Sequence, residues 1–169
     1  TPVALSARRR TDVLTVALHT TPAGFAIDPR IPAGRGAWAS LGFLFRDAAA
    51  KWLDIGPDEI EVGVHPRPVE GSVQGQVFIA DTLENGAGYA KRMEGRFEEL
   101  LDVADAYAQG LATHGDDHPC DSSCYRCLRD YGNRSWHPLL DWRLAVDLLD
   151  LLRGRGIDFD RDEQRDARA

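Results

Sequence analysis

The sequence predicts an α+β domain: a small, mainly antiparallel sheet packed by two longer helices, then a cysteine-bearing knuckle and a C-terminal helix. Three observations carry this. Residues 59–65 alternate apolar and polar, and a second β-rich run, Gln76 to Asp81, follows after a turn-rich link, the pattern of a hairpin. Two long stretches repeat apolar residues at three- and four-residue spacing, the signature of helices with one buried face. All three cysteines fall between Cys120 and Cys127, in a polar, turn-forming stretch that does not resemble a packed core.

In chain order, Asp12 to His19 (DVLTVALH) reads as a strand rich in Val and Leu. Thr20 to Gly36, with three prolines and three glycines, reads as loop. Ala37 to Leu53 reads as a helix, with Leu41, Leu44, Phe45, Ala48, Ala49 and Trp52 on its apolar side, ended by Gly56 and Pro57. In the next strand Ile60, Val62 and Val64 face one side. Pro66 to Gly75 reads as the link. Asn85-Gly-Ala-Gly-Tyr89 then turns into one long helix with the stripe Tyr89, Met93, Phe97, Leu100, Ala104, Tyr107 and Leu111. The glycine pair is read as a tight turn rather than an anion site. Thr113 to Ser123 breaks the helix, and Cys124 to Asp130 starts a short one. Pro138 is placed to open the last helix, which ends near Gly154 and buries Leu140, Leu144 and Leu148. Asp160 to Ala169 lacks large apolar residues and reads as a frayed tail.

At 169 residues, with 43% apolar and 28% charged side chains, the chain is expected to form one domain over residues 1–159. No apolar run reaches the roughly 18 residues that span a bilayer, and no basic start with an apolar stretch marks a signal peptide. Three is an odd count and nothing indicates an oxidising compartment, so a disulfide framework is not expected; the expected location is cytoplasmic. Net charge is −7, so nucleic-acid binding does not follow from bulk charge. The charge is unevenly placed: the run 94–121 is strongly acidic, whereas Arg126, Arg129, Arg134 and Arg143 outnumber Asp130 and Asp141 in the run 124–143. The chain has two lysines, Lys51 before Trp52 and Lys91 before Arg92. Neither fits a phosphate loop of the Gly-Lys-Ser/Thr type, so the chain carries no P-loop ATPase motor. Nothing in it calls for a small-molecule substrate.

The chemistry concentrates in His118-Pro-Cys120-Asp-Ser-Ser-Cys124-Tyr-Arg-Cys127. Thiolates are good zinc ligands, and a closed tetrahedral site needs four donors. Cys124 and Cys127 share a knuckle spacing, Cys120 comes from the preceding loop, and His118 is the nearest fourth donor, with His114, Asp116 and His137 competing. A radical-SAM cluster has a similar spacing, but only 42 residues follow Cys127, far too few for its barrel. A zinc deaminase needs His-x-Glu and Pro-Cys-x-x-Cys, and the chain has neither. A cysteine nucleophile would need one thiol, not three.

Together, Ala80-Asp-Thr-Leu-Glu-Asn-Gly-Ala-Gly-Tyr89, the long helix, the cysteine cluster, Cys127-Leu-Arg-Asp-Tyr131, Asn133, His137 and Leu140-Asp141-Trp-Arg143 resemble the MrfA-like zinc-binding domain. That domain is found at the C-terminal end of DEAD/DEAH-box, superfamily 2 helicases linked to DNA repair and phage defence. The resemblance is strongest over residues 80–152. The family commonly uses four cysteines, and His118 stands where the first would be, which supports His118 as a ligand. The resemblance implies a non-catalytic accessory module with structural zinc, helping motor domains in the same or a separate chain to engage or separate DNA strands. It completes the expected architecture, an α+β fold with a zinc knuckle and a C-terminal helix.

The residues around the cluster admit two roles. Tyr125, Tyr131, Trp136 and Trp142 interleave with Arg126, Arg129, Arg134 and Arg143, a mixture that holds phosphates and stacks unpaired bases. Equally, Trp136 and Trp142 can pack on the knuckle while the arginines pair with Asp130 and Asp141. The nucleic-acid reading puts Arg126, Arg129, Arg134, Arg143 and Trp136 at the interface. Asn133 and His137 are expected to tie the turn before Pro138, and Asp141 with Arg143 to orient the last helix. The alternative function is a zinc-stabilised protein-docking module, binding a separate motor subunit through the acidic helix face. A hydrolase is disfavoured because the carboxylates follow no catalytic spacing.

Overall fold

The computed structural model describes residues 8–19, 25, 27–69, 71–113 and 120–157. Strand β1 (Val13–Val16) lies at one edge of a three-stranded sheet. Strands β2 (Ile60–Val69) and β3 (Ser72–Asp81) form a long hairpin, and β3 sits in the middle. Both pairings are antiparallel, with Val13 opposite Ala80 and Ile60 opposite Asp81. The strands run through the stretch expected to be a loose link: Pro66 pairs with Gly75 and Pro68 with Val73. β2 is an edge strand, and an edge tolerates residues without an N–H.

Helix α1 (Pro32–Leu53) is the hub, packing on the hairpin and against the two later long helices. Trp38, Leu41, Leu44 and Phe45 are fully buried, because the sheet and helices enclose α1 on several sides. The helix begins at Pro32, ahead of the expected Ala37, with proline in its first turn where no N–H is missed. Its early glycines do not break it. A side chain at Gly34 would lie 2.2 Å from the Asp28 carbonyl, so the helix start packs where only glycine fits. The Trp38 indole donates to the Ile27 carbonyl at 2.9 Å, tying the incoming loop to the core.

The single long helix expected after Tyr89 is two helices, α2 (Tyr89–Gly95) and α3 (Phe97–Thr113). Arg96 leaves helical geometry between them (φ −132°, ψ 43°). Gly95 is a poor helix interior residue, and the break lets both halves follow the core. Met93, Leu100, Ala104 and Leu111 of the expected stripe remain buried. Helix α4 (Trp142–Leu152) starts four residues after Pro138, which instead lies in a 3-10 turn over Arg134–Leu139. Asp141 is the true cap, its carboxylate accepting from the Arg143 N–H at 2.9 Å. Residues 160–169, expected to fray, lie outside the described residues.

One buried charge cluster joins α1 to the region beyond α3. Arg46, 6% exposed, pairs with Asp47 at 2.7 Å and Asp130 at 2.5 Å and lies over the Phe43 ring. Burial raises the Asp47 carboxyl to about 6, with Arg46 opposing. The folded state therefore holds this proton more tightly than the unfolded chain. The stabilisation is complete below the unfolded value near 4 and is lost as pH rises through about 6. Asp47→Asn removes the titration. Its stability relative to the unsubstituted protein is expected to improve by about 2–3 kcal/mol between pH 4 and pH 7.5, read from urea unfolding at each pH. Parallel pH curves for the two proteins would remove Asp47 as the cause.

Candidate metal centre

Beyond α3 the described chain resumes at Cys120. Cys120 and Cys124 are half-buried and Cys127 is buried. Their sulfurs lie within 4.8 Å of one another, with Cys120–Cys127 at 3.9 Å and Cys124–Cys127 at 3.8 Å. A disulfide would need about 2 Å. Tetrahedral zinc with bonds of about 2.3 Å to sulfur sets its thiolates about 3.8 Å apart. The separations therefore suit three corners of a zinc site.

The local backbone explains the convergence. The segment expected to begin a short helix, Cys124 to Asp130, forms a tight turn instead. The Cys124 carbonyl accepts from the N–H groups of both Cys127 and Arg129 at 3.1 Å. The Cys124 N–H donates to the Cys127 sulfur at 3.0 Å, and the Arg126 N–H to the Cys124 sulfur at 3.3 Å. A helix would spend these N–H groups on carbonyls. Here they point at sulfur, where they favour the thiolate. Burial, then the neighbouring Cys127, pushes the Cys120 thiol well up, and burial does the same to Cys127. Thiolates held this close together need a neighbouring cation, and zinc supplies that counter-charge along with folding free energy.

The loop is also fastened to the core. Ser123 is buried and donates to the Leu140 carbonyl at 2.8 Å, while its hydroxyl accepts from the Arg129 Nε at 2.8 Å. The Trp142 N–H donates to the Ser122 carbonyl at 2.9 Å. Arg143 donates to the Asp121 carbonyl and pairs with Asp141 at 3.4 Å. The Asp141 N–H in turn donates to Ser40 of α1 at 2.9 Å. Leu128, one residue past the last cysteine, is fully buried. The thiol cluster is thus built onto the start of α4 and the side of α1.

The expected site residues separate into groups. His118, His114 and Asp116 lie outside the described residues. His137 places Nε2 2.9 Å from Asn133 Oδ1 and 3.0 Å from the Asp130 carbonyl, and among the described residues it does not join the thiol group. Asn133 donates to the Leu128 carbonyl at 2.7 Å, so this pair ties the turn as expected. Arg126 and Arg134 are exposed, and the Arg134 guanidinium stacks 4.0 Å from the Tyr131 ring centre, itself 74% exposed. Arg143 is buried at 4% exposure and spent on the loop and helix cap. Trp136 is half-buried, edge-on to Phe43 at 6.2 Å.

Sequence reasoning missed Asp81, Ser40 and Ser123. Fully buried at the end of β3, Asp81 accepts from Ala87, Gly88 and Tyr89 N–H groups through Oδ2 at 2.6, 2.7 and 3.2 Å. Its Oδ1 accepts from Ala90 at 2.9 Å. Gly88 takes φ 88°, turning these donors inward. The glycine turn does gather N–H groups at a helix start, and the chain's own carboxylate fills them. An acid at a strand end just before Asn-Gly-Ala-Gly was the available signal.

A three-stranded antiparallel sheet wrapped by helices, with three thiols converging at zinc spacing, defines an α+β zinc-binding domain. The MrfA Zn-binding domain family model matches residues 41–128, so the chain belongs to that family. The match takes in most of α1, upstream of the stretch where the motifs are densest, and stops after the last cysteine. The chain is 33% identical over 101 residues to Druantia protein DruE of Escherichia coli (strain UMEA 4076-1), which covers 59% of this chain and 5% of that protein. Its fold is similar to that in a crystal structure of the DUF1998 helicase MrfA bound to DNA, with a TM-score of 0.55 at 15% identity. That likeness covers 83% of this chain and 17% of the helicase. The chain thus spans a small part of the length of both relatives. No helix among the described residues is long and apolar enough to cross a membrane.

Proposed function

We propose that this domain is the non-catalytic zinc module of a DEAD/DEAH-box-type DNA helicase. It works with motor domains in the same or a separate chain, in the cytoplasm, in DNA repair or phage defence. Residues 1–159 act as one unit, in which Cys120, Cys124, Cys127 and His118 hold the zinc. The observation that carries this reading is the three-thiol knuckle locked onto α1 and α4 beside exposed cations. Its zinc shapes the loop and holds Arg126 and Arg134 outward, where phosphates can be met. Arg129, through Ser123, positions the same loop. Arg143 and Trp136 hold that surface from behind rather than touching DNA. The docking alternative relied on the acidic face of α3, yet Asp102 and Asp105 are engaged by Arg153 at 2.7 and 2.8 Å, and Arg155 also pairs with Asp105.

Fluorescence anisotropy with a labelled oligonucleotide tests the reading. Binding is expected to weaken steeply with salt. Arg126→Glu with Arg134→Glu is expected to weaken it about 10- to 100-fold at low salt and to lower the salt slope by about 2. Salt-insensitive or absent binding would favour the docking module.

A further inference from the structure

Arg126 also lines a groove of about 500 Å³ that runs between α1 and α3. Its walls are apolar, with Trp52, Val103, Tyr107 and Leu111, and cations stand at its rim, Lys51 and Arg126. The Lys51 ammonium lies 4.3 Å from the Tyr107 ring centre. Arg92 and Arg96, from α2 and the break after it, lie over the Trp52 ring at 5.8 and 5.0 Å. Four cations therefore gather round two aromatic side chains, in a chain of net charge −7. Of the carboxylates, Glu99 pairs with Arg96, and Asp47, whose charge is felt by Lys51 and Tyr107, is engaged by Arg46. No acidic side chain among the described residues forms an ion pair with Lys51, Arg92 or Arg126. By contrast, the opposite flank of α3 is neutralised internally, through Arg153 and Arg155.

The DNA reading needs only a surface for phosphates. This groove adds a different capacity. An apolar slot with aromatic walls takes a base only when that base is unpaired and free to leave the stack, and rim cations at either side hold the flanking phosphates. A duplex, with its bases inside, has nothing to insert. An acidic peptide would satisfy the cations as well, but not the continuity: Arg126 belongs both to the knuckle face and to the groove rim.

Resting on the proposed DNA role, we infer that the α1–α3 groove is a single-strand site. It accepts unpaired bases beside Trp52 and Tyr107 while Lys51, Arg92 and Arg126 hold the backbone. A strand leaving the knuckle face at Arg126 would enter it directly. The domain would then prefer single-stranded over duplex DNA, and the preference would come from the groove.

The experiment uses the whole chain loaded with zinc and a thymidine oligonucleotide of about a dozen nucleotides carrying bromodeoxyuridine. Photocrosslinking followed by peptide mass spectrometry is expected to place adducts on Trp52 or Tyr107. Lys51→Glu is expected to weaken single-strand binding about 5- to 10-fold and to lower the salt slope by about 1, while duplex binding changes less than twofold. Arg67→Glu, on the sheet edge, is the control expected to leave both unchanged. Lys51 is exposed, so an unchanged melting temperature separates a binding effect from misfolding. Adducts confined to Tyr125 and Tyr131, with Lys51→Glu silent, would overturn the groove and leave the knuckle reading standing. Capture of an acidic peptide in place of the oligonucleotide would overturn the groove's assignment. No binding of either DNA form would remove both readings.

Discussion

Cys127→Ser is expected to lose bound zinc and to lower the thermal midpoint by more than about 10 °C. The size follows from comparing two free energies. Structural zinc contributes on the order of 10 kcal/mol of apparent folding free energy, and a whole domain is stable by roughly 5–15 kcal/mol. A chain of this size shifts its midpoint by about 2–4 °C per kcal/mol, so even a fraction of the zinc contribution exceeds the quoted drop. The consequences should spread, because the thiol loop is bonded to Leu140, Trp142 and Arg143 and through them to Ser40. Releasing the metal frees the base of α4, not only a surface turn. If Cys127 were merely a buried thiol, the change would cost about 1–2 kcal/mol and no metal would leave. His118→Ala in the same assay reports on the fourth ligand: weakened or substoichiometric zinc assigns it to His118. Full retention would transfer the role to another donor. Metal content by mass spectrometry and a melting curve decide both.

Asp81→Ala is expected to destabilise the domain by about 3–5 kcal/mol. Four N–H groups now bonded to the carboxylate, the one from Ala90 buried and three part-buried, would lose their acceptor, and one unsatisfied buried group costs about 1–3 kcal/mol. Water entering the space recovers part of the total, which keeps the expectation below the simple sum. Asp81→Asn keeps the shape but turns an amide N–H₂ toward N–H donors, so it should recover less than half of the loss. Urea unfolding supplies the test. A change below about 0.5 kcal/mol for alanine, the scale of an ordinary surface substitution, would mean that the carboxylate does not organise the turn.

Much of the fold is legible in the residues. The alternation of Ile60, Val62 and Val64 marked a strand because side chains on a pleated strand repeat every two residues. The stripe through Met93, Leu100, Ala104 and Leu111 marked helix for the matching reason. Boundaries were less legible. Pro32 to Gly36 looked like loop because local propensity counts two glycines against a helix, whereas here they permit contact with backbone that comes from elsewhere in the chain. Pro66 and Pro68 looked like a link because composition does not say which strand is at the edge.

The same division holds at the site. Three thiols within eight residues, in polar surroundings, pointed by themselves to a metal site, and thiolate chemistry favoured zinc. The density of motifs from Ala80 onward carried the resemblance to the family that the match over residues 41–128 shows. Tertiary structure alone decided what the neighbouring charges do. Arg143 and Arg126 are the same residue type in the same sequence neighbourhood, yet one is folded under the knuckle and the other faces outward. Asp81 and Asp102 are likewise both acidic, but one is buried against four N–H groups and the other lies in an exposed ion pair. The reason is physical. Ligand type and periodicity are local properties, carried by residue identity and spacing. Burial and partner choice depend on which distant segment packs alongside, and that is fixed only when α1, the sheet and α4 close around one core.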